Sequence, residues 1–206
     1  MKLYTARSTI KNRETCQRLG VGLMMVDGWT DPEPYPFFAI DNGCFSAWKR
    51  GVRWNPAPFL NNLHKCAELG LKPEFAVLPD IVAGGERSLE RSRAWATILR
   101  DQFPGVSFYL AVQDGMTPGE HGADIIRMAD GIFVGGTTQW KLATMRDWAT
   151  FAHKHGMSVH VGRIGTPDRM VLAHNIGIDS IDSTTWVQRN GTLEHHVATY
   201  KRRVEA

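Results

Sequence analysis

The sequence predicts a compact, TIM-like (β/α)8 barrel forming one domain over residues 1–206. Three observations carry that prediction. Eight short runs rich in Val, Ile, Phe and Tyr recur along the chain, most of them continuously apolar, as strands buried on both faces are. Segments of helical period alternate with them to the end of the chain. Polar side chains close four of the runs: FFAID ends in Asp41, FAVLPD in Asp80, SFYLAVQD in Gln113-Asp114 and GIDSID in Asp182. Strands of a parallel α/β protein finish in this way when their ends converge on one pocket. A length of 206 residues lies near the lower limit of about 200 for such a barrel, so an open doubly wound sheet is the alternative. No GxGxxG follows the first strand, which argues against dinucleotide binding.

In chain order the predicted strands are KLYTA (2–6), VGLMMV (21–26), FFAID (37–41), EFAVLP (74–79), VSFYLAV (106–112), GIFVGG (131–136), SVHVGR (158–163) and DSIDS (179–183). A short helix over about residues 8–19 follows the first, and the Pro-rich loop GWTDPEPYP joins the second to the third. The later helical segments are PAPFLNNLHKCAELG, GERSLERSRAWATILRDQF, GEHGADIIRMA, WKLATMRDWATFAHKHG, TPDRMVLAHNIG and LEHHVATYKRRVE. Thr166-Pro167-Asp168 reads as an N-cap with proline in the first turn, and Gly70, Gly156 and Gly177 stand where glycine ends a helix. Trp95, Trp140 and Trp148 fall in or at the start of helical segments and are expected in the core.

At 43% hydrophobic and 22% charged residues the composition is that of a soluble globular protein, and no run approaches the roughly 18 apolar residues of a membrane span. The N-terminus MKLYTARSTIKNRETC lacks the apolar core of a signal peptide, so a cytoplasmic setting is expected. Cys16, Cys44 and Cys66 are scattered, odd in number and without CxxC spacing, which predicts reduced thiols and no structural zinc. There is no HExxH. His153 and His155 are spaced i, i+2 on a helix and do not share a face, and His195-His196 fall on a surface helix. A net charge of +3, with Lys201-Arg202-Arg203 as the densest basic run, permits a polyanionic partner.

In a barrel Asp41, Asp80, Gln113, Gly135-Gly136, Arg163 and Asp182 would face one mouth. Three carboxylates gathered there repel one another, so at least one pKa should rise, and a ligand rich in hydrogen-bond donors would relieve the repulsion. Guanine and its analogues present N1–H and a 2-amino group side by side, which one carboxylate accepts together, while O6 needs a donor such as Gln113 or a backbone N–H. Asp80, Gln113 and the Gly135-Gly136 backbone supply that set, with glycine letting the backbone approach a flat ring and Phe45 stacking on it. Plainer readings stand beside these. Asp41-Asn42-Gly43 is strong turn chemistry, Asp80 and Asp182 are placed to cap the segments after them, and Cys44 has no histidine to activate it.

The segments AIDNGCF (39–45), VLPD (77–80), LAVQDG (110–115), DGIFVGG (130–136), HVGRIGTPDRMV (160–171) and GIDSIDS (177–183) resemble, in order, the motifs of the tRNA-guanine transglycosylases. Those run DSGGFQ, a strand ending in Asp, LAIVQGG, GYAIGGLAVGE, YLMGVGxPED and GIDMFDCVLPTR. The resemblance covers roughly residues 37–185. It implies that Asp182 is the nucleophile attacking C1′ and Asp41 the general acid/base. It also implies that Asp80, Gln113 and Gly136 recognise the base and Phe45 stacks on it; beside these, Asn42, Gly135, Val161, Gly162 and Arg163, at or next to the same strand ends, complete the expected substrate-binding set. The departures are equally informative. Nothing after Asp182 contains a cysteine, so the family's zinc subdomain and tRNA grip are missing. Asn42, Cys44 and Ser46 replace the family's Ser, Gly and Gln, and GGTTQW replaces GGLAVGE.

A trimmed barrel of this kind is similar to the relatives, found in phages and bacterial DNA-modification clusters, that exchange guanine for a 7-deazaguanine in DNA. The expected partners are therefore guanine-containing DNA, a free 7-deazaguanine base and accessory DNA-modification proteins, with no metal, no redox cofactor and no membrane. Arg163, Lys141 and Lys201-Arg202-Arg203 are the expected phosphate contacts. The rival readings are an N-glycosidase that releases the purine to water and a non-catalytic purine- or nucleic-acid-binding barrel.

Overall fold

Successive strand residues alternate between two apolar environments, and the sheet they form closes on itself. The computed structural model describes residues 1–188 and 192–205, apart from the Lys11 side chain. Its strands are β1 (Lys2–Thr5), β2 (Val21–Met25), β3 (Phe38–Ile40), β4 (Ala76–Val77), β5 (Phe108–Val112), β6 (Gly131–Val134), β7 (Ser158–Val161) and β8 (Ser180–Asp182). All pair in parallel with their chain neighbours, and β1 pairs with β8, Tyr4 opposite Asp182. The protein is a closed (β/α)8 barrel. That last pairing overturns the open-sheet alternative.

The helices among the described residues are α1 (Ile10–Leu19), α2 (Cys44–Lys49), α3 (Ala57–Glu68), α4 (Glu86–Gln102), α5 (Pro118–Met128), α6 (Thr138–Lys154), α7 (Pro167–Ile176), α8 (Thr185–Gln188) and α9 (Thr192–Val204). α2 and α8 are unexpected, being too short to show a helical period. As anticipated, no helix joins β2 to β3, and Gly70, Gly156 and Gly177 leave their helices in the left-handed region. Thr166 stands at the start of α7 with Pro167 after it, but its side chain makes no capping hydrogen bond, whereas those of Thr117 and Thr137 accept from Glu120 and Trp140. The strands are shorter than the apolar runs that announce them. β4 stops before Pro79, which has no N–H for the ladder, and Asp80 follows at the barrel mouth.

Outward residues such as Leu3, Leu23, Ile40, Leu110, Val159 and Ile181 pack beneath the helices, while Tyr4, Met24, Ala39, Phe75, Val77, Ala111 and Phe133 fill the barrel. The filling is largely aromatic. Phe75 stacks on Tyr109 at 4.2 Å between centroids, Tyr4 sets its edge against Phe37 and Phe75, and His160 stacks on Phe133 at 4.7 Å. Trp148 is fully buried, and Trp95 and Trp140 pack partly buried against the outer core. Cys16, Cys44 and Cys66 are buried and unbridged, and burial pushes the Cys16 and Cys66 thiols up to about 11. Among the described residues no helix is long and apolar enough to cross a membrane.

α6 corrects one expectation. Its buried face is Lys141, Met145, Trp148, Ala149 and Ala152, so Lys141 lies on the apolar stripe and is 0% exposed, out of reach of any phosphate. Its ammonium donates to Gly162 O at 2.5 Å, and burial, with Arg163 nearby, lowers its pKa from 10.5 to about 7. The unfolded chain therefore takes up this proton at higher pH than the folded one, and stability is lost as pH falls from 10.5 towards 7. Lys141→Met should remove that loss. Thermal unfolding across this range should show the melting temperature of the variant gaining on that of the wild type as pH falls, and parallel curves would refute it.

Candidate functional site

The barrel filling stops below the mouth. Above Met24, Val77, Ala111 and Phe133 a cavity of about 250 Å³ opens, small for a ligand pocket and floored by apolar side chains. Asp41 and Asn42 after β3, Phe45 on α2, Asp80 after β4 and Gln113 after β5 line one side. Gly135 and Gly136 after β6, Arg163 after β7 and Asp182 at the end of β8 complete it. Val161 and Gly162 do not reach the cavity. Val161 is fully buried in the outer core, and Gly162 supports the site from behind: its carbonyl holds Lys141, and a Cβ there would meet the Phe133 ring at 2.7 Å.

One wall is a closed amide and carboxylate network. Asn42 Nδ2 donates to Asp80 Oδ1 at 2.9 Å and to Leu78 O at 2.8 Å, and Gln113 Nε2 donates to Asp80 Oδ2 at 2.5 Å. Gln113 Oε1 in turn accepts from the N–H groups of Ala83 and Gly136, both at 2.9 Å. Every buried polar atom of Gln113 is thereby partnered, and its orientation is set by the backbone on either side. Burial raises the Asp80 pKa, opposed by the hydrogen bonds of Asn42 and Cys44. Asp80 caps no helix. Cys44 is 4% exposed and its thiol is pushed far up by burial and by Asp80, the opposite of what a nucleophilic thiolate needs.

Gly135 and Gly136 are glycine for a reason other than ligand approach. Their N–H groups are already engaged, with Val112 O and Gln113 Oε1. A Cβ on Gly135 would lie 2.6 Å from Gln113 Nε2, and one on Gly136, where φ is +67°, would meet Asp114 Oδ2 at 2.5 Å and Trp140 at 2.7 Å. The pair makes room for the network itself. Across the mouth Arg163, also in the left-handed region at φ +60°, donates to Gly136 O at 2.5 Å and lays its guanidinium 3.8 Å from the Phe45 ring centroid. Phe45 thus stacks on a cation in this structure, tying α2 to the β6 end.

Asp182 is held from inside the barrel by a residue that sequence reasoning passes over. His160, 0% exposed, places Nε2 3.0 Å from Asp182 Oδ2 and Nδ1 2.8 Å from Ser180 Oγ. Burial lowers the His160 pKa, the Asp182 hydrogen bond opposing it. A neutral ring facing a carboxylate carries its proton on Nε2, leaving Nδ1 to accept from the Ser180 hydroxyl; this tautomer is assigned from the network. Asp182 Oδ1 has no hydrogen bond among the described residues and stays open to a ligand in the cavity. The signal for His160 is the period-two polar set Ser158, His160 in one strand and Ser180, Asp182 in the next.

Asp41 occupies the turn and the site together. Its Oδ1 accepts from Gly43 N–H at 2.7 Å, with Gly43 at φ +76°, so the turn reading holds. Burial, then the nearby charges of Asp182 and Asp80, push its carboxyl up to about 7 against that hydrogen bond. Of the three carboxyls at the mouth, Asp41 titrates near neutrality, Asp80 is held in the amide network and Asp182 is oriented by a buried imidazole.

The fold and this mouth define a (β/α)8 barrel with a carboxylate-lined, apolar-floored pocket. No known family model matches the chain, and no curated protein matches it either.

Proposed function

We propose that the protein is a base-exchange transglycosylase that replaces guanine in DNA with a 7-deazaguanine. The observation that carries this reading is the convergence of Asp182, Asp41 and the Asp80–Gln113 pair on one apolar-floored cavity. The motif resemblance of residues 37–185 points the same way. Guanine N1–H and its 2-amino group would share Asp80, whose carboxylate oxygens keep further lone pairs.

Asp182 Oδ1 attacks C1′ of the nucleotide as the bond to guanine N9 breaks, and the proton of Asp41 passes to the departing base. The glycosyl ester then stands with guanine free and Asp41 ionised. The incoming 7-deazaguanine gives its N9 proton to Asp41 and attacks C1′ from the vacated face, releasing Asp182 with the anomeric configuration restored. Protons balance over the cycle. No residue in these steps needs a metal ion or a redox partner.

The test is release of labelled guanine from single-stranded DNA, duplex DNA and tRNA, each with and without a 7-deazaguanine acceptor. Acceptor-dependent release from DNA is the expected result. Release without acceptor beyond one equivalent per protein, the amount that the glycosyl ester itself accounts for, would make the protein a glycosidase, and no release from any polymer would refute the proposal. Asp80→Ala should lower the preference for guanine over adenine by at least about tenfold in equilibrium dialysis, because the acceptor for N1–H and the 2-amino group is gone. An unchanged preference would refute the pocket assignment.

A further inference from the structure

From Asn42 to Ala67 the chain contains no acidic residue, while it carries Lys49, Arg50, Arg53 and Lys65. The first part of this stretch forms the lip of the cavity. Phe45, Ser46 and Lys49 line the cavity itself, and the chain then runs outward through residues 48–53, all exposed, with the Trp48 indole 59% exposed and Val52 54%. Arg50 has a carboxylate, Asp27, at 3.9 Å; Lys49 and Arg53 have no ion pair among the described residues. A second cavity of about 340 Å³, lined in part by Arg50, Arg53 and Trp54, adjoins the first and shares Val26 and Asn42 with it. Arg91 extends the basic row, its guanidinium 4.5 Å from the Trp54 ring centroid.

Lys49 and Arg53, which have no ion pair among the described residues, adjoin an indole that is mostly exposed and touches the cavity-lining Phe45 ring at 5.6 Å between centroids, so the basic row and the base-sized pocket meet at Trp48. Polyanions supply what the cations lack, and an unpaired base supplies a face for the indole. We propose that residues 48–53 form a docking ledge for single-stranded DNA, with Trp48 stacking on the base next to the one that enters the cavity and Lys49 and Arg53 meeting its phosphates. A duplex offers the indole no free base face, because its bases already stack on one another. The identity of the polymer rests on the proposed function; the ledge chemistry does not.

The experiment uses the full chain and a dye-labelled short oligothymidylate, read by fluorescence anisotropy across a salt series. Thymidylate contains no guanine, so the ledge is read apart from the base pocket. Binding should weaken steeply with salt. Trp48→Ala should weaken it about tenfold, as loss of one base–aromatic stack does. Arg53→Gln should flatten the slope of log affinity against log salt by about 0.7, one phosphate contact on a single strand. Both side chains are exposed, so folding is preserved. No binding at low salt, wild-type affinity in both variants, or tighter binding of oligouridylate or duplex DNA would overturn the ledge. Failure of free guanine to bind in dialysis would instead sink the pocket reading and leave the ledge standing.

Discussion

Asp182→Asn is expected to lower acceptor-dependent guanine release from single-stranded DNA by at least about 10⁴-fold with the barrel intact, because the amide offers His160 Nε2–H an acceptor but cannot form the glycosyl ester. Asp182→Ala should be equally inactive and also less stable, since it leaves a buried imidazole N–H unpaired, a cost of about 1–3 kcal/mol. The comparison separates chemistry from support. With acceptor omitted, mass spectrometry should find a protein–DNA adduct in the wild type and none in either variant. Wild-type turnover by Asp182→Asn would end the covalent mechanism.

Asp41→Asn should cost about 10²–10⁴-fold in exchange, the usual worth of a positioned general acid and base. With its carboxyl at about 7, one half-reaction needs the protonated form and the other the ionised form, so the wild-type rate should peak near neutral pH. The variant should lose both limbs. Stability gives an independent reading. Because the folded carboxyl titrates about 7 and the unfolded one near 3.8, ionisation opposes folding progressively as pH rises through that window. Asp41→Asn should therefore match the wild type at the acid end and melt about 5–10 °C higher above neutrality. A constant difference across pH would show that Asp41 is not raised.

The barrel is legible because strands buried on both faces read as continuous apolar runs, and Asp41, Asp80, Gln113 and Asp182 are legible because each closes one of those runs. What escapes the sequence is mostly tertiary. Val161 and Gly162 sit beside a strand end, yet the pleat turns Val161 outward and gives Gly162 to Lys141 and Phe133. The pattern of α6 places Lys141 with Met145, Trp148 and Ala152, and only the habit of assigning lysine to the surface hides it. Arg203 of the basic tail bonds Asp168, and Lys201 reaches Leu19 O at 3.5 Å. α2 has too few residues for periodicity, so the ledge it opens is visible only once the turn at Asp41–Gly43 is seen to fold it over the cavity.

Tyr4 faces Asp182 across the last seam of the barrel, and Thr5 Oγ1 donates to Ser183 O at a separation of 178 residues. The backbone of the residue proposed as nucleophile is thus seated by pairing of nearly the greatest sequence separation among the described residues, while His160 holds its side chain from close by in sequence. Contacts of that kind pay their loop-closure entropy before they return any stability, and they form late. During synthesis Asp80 and Gln113 emerge long before Asp182 can be seated beside them. The residues of the wall proposed to bind the base are therefore all present in the nascent chain before the carboxylate proposed as nucleophile, and the seam between β1 and β8 is the last part of the barrel that can close.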